Sequence, residues 1–360
     1  MSKTLILHIG HYKTGTTVLQ VFFEENPQFL AAHGFQYPDA WMESSKHSDY
    51  AFSILRAAGV KKLMHGYSSP VTPEEMWGDL FRQIEEQEKP YTLISSEEFM
   101  RLGQFPKTRD ILRQILDNRP AGLNIKVVAY LRSPGEHLQS WFNQLIKMGF
   151  KMSDMGSALN GEIEDIHYDY KHALQPWIDI LGAENVLIRP YVKDLENPSA
   201  LHQDFMGIFG ISLVPGLEYY QQDLNPRLDD RIIDLVRMLQ NLGFPQSTIS
   251  TTSNRAEAYL DTQDRLLTSK AGGISTAAAR AQDGLDWLAD LPDNNIDTQA
   301  FARNLPTAAK LEEVKQNLLL GFIYSELIQL RWRLNDSNIP DAFKRIEALE
   351  QRLSEMENGK

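Results

Sequence analysis

Residues 5–23 constrain this chain more than any other stretch. Leu5-Ile6-Leu7-His8-Ile9 is a short apolar run of the kind given by a parallel strand buried on both faces. Gly10 to Thr17 follows as a turn holding two glycines, Lys13 and the three threonines Thr14, Thr16 and Thr17. Val18, Leu19, Phe22 and Phe23 then recur at helical spacing, so a helix is expected from about Thr16. Strand, glycine turn and helix in that order make a loop that holds an anion. Glycine lets the backbone approach closely, and the amides at the helix start face the anion with the helix dipole behind them. Lys13 adds a full positive charge, and the hydroxyls add hydrogen-bond donors.

The loop departs from the nucleotide-hydrolase pattern G-x-x-x-x-G-K-[ST], in which lysine directly follows the second glycine and reaches the terminal phosphates. That position is Thr16 here, and the lysine lies inside the loop at Lys13. An anion other than the β,γ-phosphates of ATP with magnesium is therefore expected. Composition narrows the partners further. With 36 basic and 48 acidic residues the formal charge is −12, which argues against nucleic acid as the main partner. The absence of cysteine excludes disulfides, thiolate metal sites and thiol nucleophiles. No metal is expected at the site. No apolar run reaches membrane-spanning length and the start has no secretory leader pattern, so the reading is a cytoplasmic protein that does not span a membrane.

Four more short strands are expected: Gly34–Pro38, Tyr91–Ser96, Ile125–Leu131 and Asn185–Tyr191. Helices are expected from about Tyr50 to Ala58, over Pro73–Glu88 with a Thr72/Glu75 capping box, from Pro134 with a Ser133/Glu136 capping box, and over Tyr170–Leu181. Alternation of this kind implies an α/β fold of three layers around a central parallel sheet of about five strands, plus a helical C-terminal part. The division is placed at 1–245 and 246–360. From Leu195 onward the patterns are helical, over Pro198–Phe209, Asp229–Asn241, Asn254–Thr268, Thr276–Ala289 and Leu311–Leu334, while Ser247–Asn254 reads as a polar connection. Ala342, Ile346, Leu349, Leu353 and Met356 make a heptad-like seam, which allows packing onto the domain or homo-oligomer contacts.

Ligands of an open parallel sheet bind beyond the carboxyl ends of its strands. Lys13 follows the first expected strand, Glu43 and His47 the second, Glu97 and Glu98 the third, and Arg132 the fourth. Arg132 can grip a phosphate with two parallel hydrogen bonds, and Ser140, eight residues on, can reach the same anion. The chain thus carries two expected anion sites. His8 reads as a core histidine. His11 and Tyr12 can touch a ligand, and Trp41, Trp77 and Trp141 are core residues or stacking platforms.

The Lys13-Thr14-Gly15-Thr16-Thr17 loop resembles the 5′-phosphosulfate loop of P-loop sulfotransferases, of bacterial cytosolic type. Arg132 and Ser140 are similar to that family's 3′-phosphate pair. The likeness covers residues 1–150 well, 151–240 in outline, and touches Asn225-Pro226-Arg227-Leu228 faintly. It implies 3′-phosphoadenosine 5′-phosphosulfate as cofactor and in-line transfer of a sulfonate group to a hydroxyl or amine, with a carbohydrate, a glycolipid or another small molecule as acceptor. Lys13 would stabilise charge on the leaving nucleotide, and the loop amides with Thr16 and Thr17 would hold the 5′-phosphate and sulfonate. A general base is required, and Glu97 is preferred to His47. Two other readings stay open: a small-molecule kinase using ATP and magnesium, and a nucleotide-binding protein of the same fold without catalysis.

Overall fold

The computed structural model of the chain describes residues 2–61, 63, 67–152, 154–191, 197–218, 228–261, 274–292 and 295–307, with 322, 323, 326, 327 and 351. The five strands are β1 (Lys3–His8), β2 (Phe35–Gln36), β3 (Tyr91–Ser95), β4 (Leu123–Leu131) and β5 (Val186–Pro190). They form one sheet of order β2-β3-β1-β4-β5 with every pairing parallel. The chain is therefore α/β with a five-stranded parallel sheet. Residues Thr4 to Ile9 are all buried, as the continuous apolar run requires of a central strand.

Helices connect and cover the strands: α1 (Thr16–Glu25), α2 (Pro27–Ala32), α3 (Ser48–Ala57), α4 (Pro73–Glu86), α5 (Pro106–Asp117), α6 (Pro134–Lys147), α7 (Met155–Leu159), α8 (Tyr170–Leu181) and α9 (Ala200–Gly207). On one face Ile6, Leu93, Val128 and Tyr130 of the sheet pack with Leu19, Phe22 and Phe23 of α1 and Phe205 and Met206 of α9. On the other, α8 packs against β4 and β5. The Thr72/Glu75 capping box forms at the start of α4.

The Ser133/Glu136 box does not form at α6. Glu136 turns to the full charge of Arg132 at 3.3 Å, and the Gly135 amide is satisfied by the Asn304 carbonyl at 3.0 Å. A side chain at Gly135 would meet that carbonyl oxygen at 2.3 Å, which explains a glycine in the first turn.

Two compact units are present. One takes in 1–228 together with 270–312, which includes α12 (Ile274–Ala289) and α13 (Thr298–Ala302); the other takes in 229–269 and 313–360, with α10 (Ile233–Asn241) and α11 (Gln246–Asp261). The polar stretch 247–254, read as a connection, is helical. Ile249, Ser253, Ala256 and Leu260 form a buried stripe at helical spacing, which the surrounding serines and threonines obscure. The helix expected over 311–334, the seam from Ala342 to Met356, and Asn225-Pro226-Arg227 lie outside the described residues, apart from isolated positions. No helix among the described residues is long and apolar enough to cross a membrane.

Candidate functional site

Between β1 and α1 the chain makes a tight, largely buried loop. Gly10 (φ 49°), Lys13 (φ 64°) and Gly15 (φ 75°) all take left-handed backbone, and no side chain caps α1. A lysine at positive φ is strained, and strain of this sort collects where a loop must hold a particular shape. Thr14 ties the loop to itself: its hydroxyl donates to the His11 carbonyl at 2.6 Å and accepts from the His11 amide at 3.1 Å. The Thr16 hydroxyl donates to the same carbonyl at 3.2 Å, whereas Thr17 is exposed. Thr14 and Thr16 thus shape the loop, and Thr17 offers a hydroxyl at its mouth.

A Cβ at Gly15 would lie 2.6 Å from Leu201 Cδ2 and 2.9 Å from Tyr191 Cε2. The other face of this neighbourhood holds Arg132, whose guanidinium lies 5.8 Å from the Tyr191 ring centroid. One tyrosine therefore separates the glycine loop from the arginine that ends β4. From the loop, Lys13 Nζ donates to Gln144 Oε1 on α6 at 3.3 Å. Ser140 sits one turn earlier on that helix and so shares its face. β1 and β4 are hydrogen-bonded neighbours, and connections leave them toward opposite edges of the sheet, so the crevice between them is a topological switch point. Lys13 and Gly15 follow β1 and Arg132 and Ser140 follow β4, the two strands that border that crevice. The Ser133 hydroxyl is buried beside them without a hydrogen-bond partner among the described residues.

Glu97 and Glu98 open a 3₁₀ segment, Glu97–Gly103, directly after β3. Glu97 accepts from Gln20 Nε2 of α1 at 3.2 Å and pairs with Lys46 at 3.4 Å. Burial pushes its carboxyl up, but Lys46 and the hydrogen bonds to its own amide and to Gln20 outweigh that and hold it below the ordinary value. Glu98 is differently placed. It lies against the Tyr12 hydroxyl and 3.5 Å from Arg101, which forks onto Glu164 at 2.8 and 3.0 Å. Burial dominates there and raises its pKa to about 7, with the Arg101 charge opposing.

Lys46 reaches Glu97 from a strained loop. Ser44 (φ 51°) and Ser45 (φ 67°) turn the chain between Glu43 and Lys46, whose backbones exchange hydrogen bonds of 2.9 and 3.1 Å, as in a type I′ hairpin. Tyr37 Oη donates to the Ser45 carbonyl at 2.6 Å, and the Ser45 hydroxyl bonds Glu24. His47, next in sequence, is fully buried. Its Nε2 donates to the Pro38 carbonyl at 2.7 Å, and its Nδ1 accepts from the Ser95 amide at 3.3 Å. Burial lowers its pKa to about 4. Both nitrogens are thus occupied in latching the loop to the end of β3, and only Glu97 of the two base candidates keeps solvent exposure. Glu43 forms the far side of the Ser44–Ser45 turn.

His8 is a core residue, as its place in β1 implies: Nδ1 lies 2.7 Å from Ser95 Oγ and burial lowers its pKa to about 4. Trp77 is core, donating to the Tyr50 carbonyl at 3.2 Å. Trp141 stacks on His167, with ring centroids 4.3 Å apart. That contact belongs to a group the sequence did not disclose, in which His11, His137 and His167 converge with all three rings buried. Lys46, Gln20, Gln144 and Tyr191 were likewise not assigned roles. His11 and His137 follow the ends of the adjacent strands β1 and β4, and that placement was a usable signal. His167 lies in a segment without pattern.

No family model matches the chain, and no curated protein matches it. Among solved structures, a sulfotransferase from Alicyclobacillus acidocaldarius aligns with 69% of this chain and 100% of its own, at 14% identity and a TM-score of 0.40.

Proposed function

We propose that the chain is a sulfotransferase that uses 3′-phosphoadenosine 5′-phosphosulfate. The observation carrying this reading is the pairing of two cationic sites on adjacent strands. Lys13 with the Gly15–Thr17 helix start follows β1, Arg132 with Ser140 follows β4, and Tyr191 packs against both Gly15 and Arg132. A ligand with two separated anionic ends suits such a pair, and Gly15 is needed where Leu201 and Tyr191 pack onto the loop too closely for a Cβ. The cofactor supplies an activated sulfonate when bound. In this reading the amides at the start of α1 and the Thr17 hydroxyl hold the 5′ end. Arg132 exchanges its weak, half-exposed pairing with Glu136 for the 3′-phosphate, and Lys13 leaves Gln144 to offset charge on the departing nucleotide. Glu97, oriented by Gln20 and Lys46, takes the proton of the acceptor hydroxyl or amine. The strained, polar loop carrying Ser44 to Lys46 borders that carboxylate, and a carbohydrate is the acceptor class that fits its hydrogen-bonding groups.

Calorimetry with 3′-phosphoadenosine 5′-phosphate and with ATP, each with and without magnesium, tests the proposal. Tight binding of the bisphosphate without metal, and weak binding of ATP, is the expected result. Preference for ATP that requires magnesium would overturn it in favour of a kinase. Bisphosphate binding with no turnover on any hydroxyl or amine acceptor would leave a binding protein.

A further inference from the structure

Three histidines from three separate elements meet behind the anion loop. His11 comes from the loop itself, His137 from the first turn of α6, and His167 from the end of the 3₁₀ turn Asp165–His167. The rings of His11 and His137 are 3.9 Å apart and nearly perpendicular, and those of His137 and His167 are stacked at 5.3 Å. One ring nitrogen from each can be chosen so that all three lie within 4.8 Å of one another.

Their hydrogen bonds leave the group incomplete. His11 Nε2 lies 2.8 Å from the Ile166 carbonyl, which only accepts, so Nε2 carries the hydrogen and Nδ1 is a lone pair. That Nδ1 is buried and has no hydrogen-bond partner among the described residues. His137 Nε2 and His167 Nδ1 are 3.0 Å apart and share one hydrogen at most. Neither choice of tautomer gives His11 Nδ1 a donor. A buried polar atom left in this way is costly, and an ion is one of the few things that explains it.

We propose that His11, His137 and His167 bind one divalent cation of the zinc class through three ring nitrogens, with a water molecule as fourth ligand. Zinc–nitrogen bonds of about 2.0–2.1 Å in a tetrahedron set nitrogens about 3.3 Å apart, close to the spacing already present between His137 and His167. The ligand atoms lie within 4.8 Å of one another, so the His11 ring must shift inward to complete the set. The Ile166 carbonyl on His11 Nε2 is the kind of outer partner that fixes the ring and tautomer of a ligating histidine. Of the cations nearby, Arg101 pairs with Glu164 and Glu98, Arg132 with Glu136, and Lys13 donates to Gln144. Such an ion would pin the anion loop to α6 and to the 165–167 turn. It acts structurally and is independent of the sulfotransferase reading.

The test uses the full chain stripped with a chelator and titrated with cobalt(II). Visible ligand-field bands of tetrahedral strength that saturate at one ion per chain are expected, with zinc displacing cobalt. Zinc addition should also raise the melting temperature. His137→Gln and His167→Gln should each weaken cobalt binding by at least about 100-fold, beyond the loss typical of an outer-shell partner. His33→Gln, at the surface end of α2, should leave it unchanged. A folded wild-type chain that gives no saturable bands and retains no zinc on gel filtration would overturn the proposal. So would equal loss in the His33 variant. Because the wild-type measurements decide by themselves, a variant that fails to fold leaves the proposal exposed to refutation.

Discussion

Two neighbouring carboxylates, Glu97 and Glu98, are set to opposite tasks by what surrounds them. Glu97 keeps its charge through Lys46 and Gln20. In the proposed reaction the acid limb of kcat/KM therefore falls below the usual carboxylate range, and Lys46→Ala should move that limb upward. Glu97→Gln should lower kcat by about 100-fold or more, while His47→Asn should chiefly lower the melting temperature because His47 latches Pro38 to Ser95. Lys13→Ala should cost about 100-fold in kcat with the circular dichroism spectrum unchanged. Glu98 bears on stability. Its carboxyl titrates at 4.5 when unfolded and about 7 when folded, so between these values the native chain holds more protons and stability falls as pH rises. Glu98→Gln should flatten that slope and stabilise the chain above pH ~7, by up to about 3 kcal/mol in denaturant titrations. An unchanged slope would mean that another group sets it. The sequence placed Glu97 and Glu98 at the end of a strand, which local pattern discloses. It could not assign their charges, since Lys46 and Arg101 reach them only through the folded chain.

At the scale of elements, the glycine loop was legible because every part of it is local: apolar strand, left-handed glycines, helical apolar spacing. The start of α6 was not. Its capping box depended on Glu136 having no better partner, and Arg132 supplies one, while the Asn304 carbonyl takes the Gly135 amide. Likewise α11 was half hidden, because its buried stripe runs through serine and threonine, whose side chains more often mark turns. Gly15 gives a direct test of the loop. An alanine there must hold φ near 75° and meet Leu201 and Tyr191, so Gly15→Ala should destabilise by about 1–3 kcal/mol and, in the proposed function, weaken bisphosphate binding. Retention of both properties would show that α9 and Tyr191 yield easily.

For the molecule as a whole, the first compact unit is not continuous in sequence. Arg280 of α12 pairs with Asp165 at 2.6 Å and Asp169 at 2.7 Å, and the backbone at Gly284 sits closely on Tyr170 at the start of α8. A chain ended at residue 245 should therefore melt lower than one ended at 312, although it retains all five strands; equal melting temperatures would show α12 to be dispensable. The order of the sheet also has a consequence for synthesis. β1 emerges first, yet its partners are β3 and β4, whose pairings join Thr4 to Tyr91 and Lys3 to Leu123. The glycine loop hangs from a strand that stays unpaired on both sides until those segments have left the ribosome. An apolar strand waiting that long is a target for chaperones, and the crevice it borders cannot form until β4 has been made.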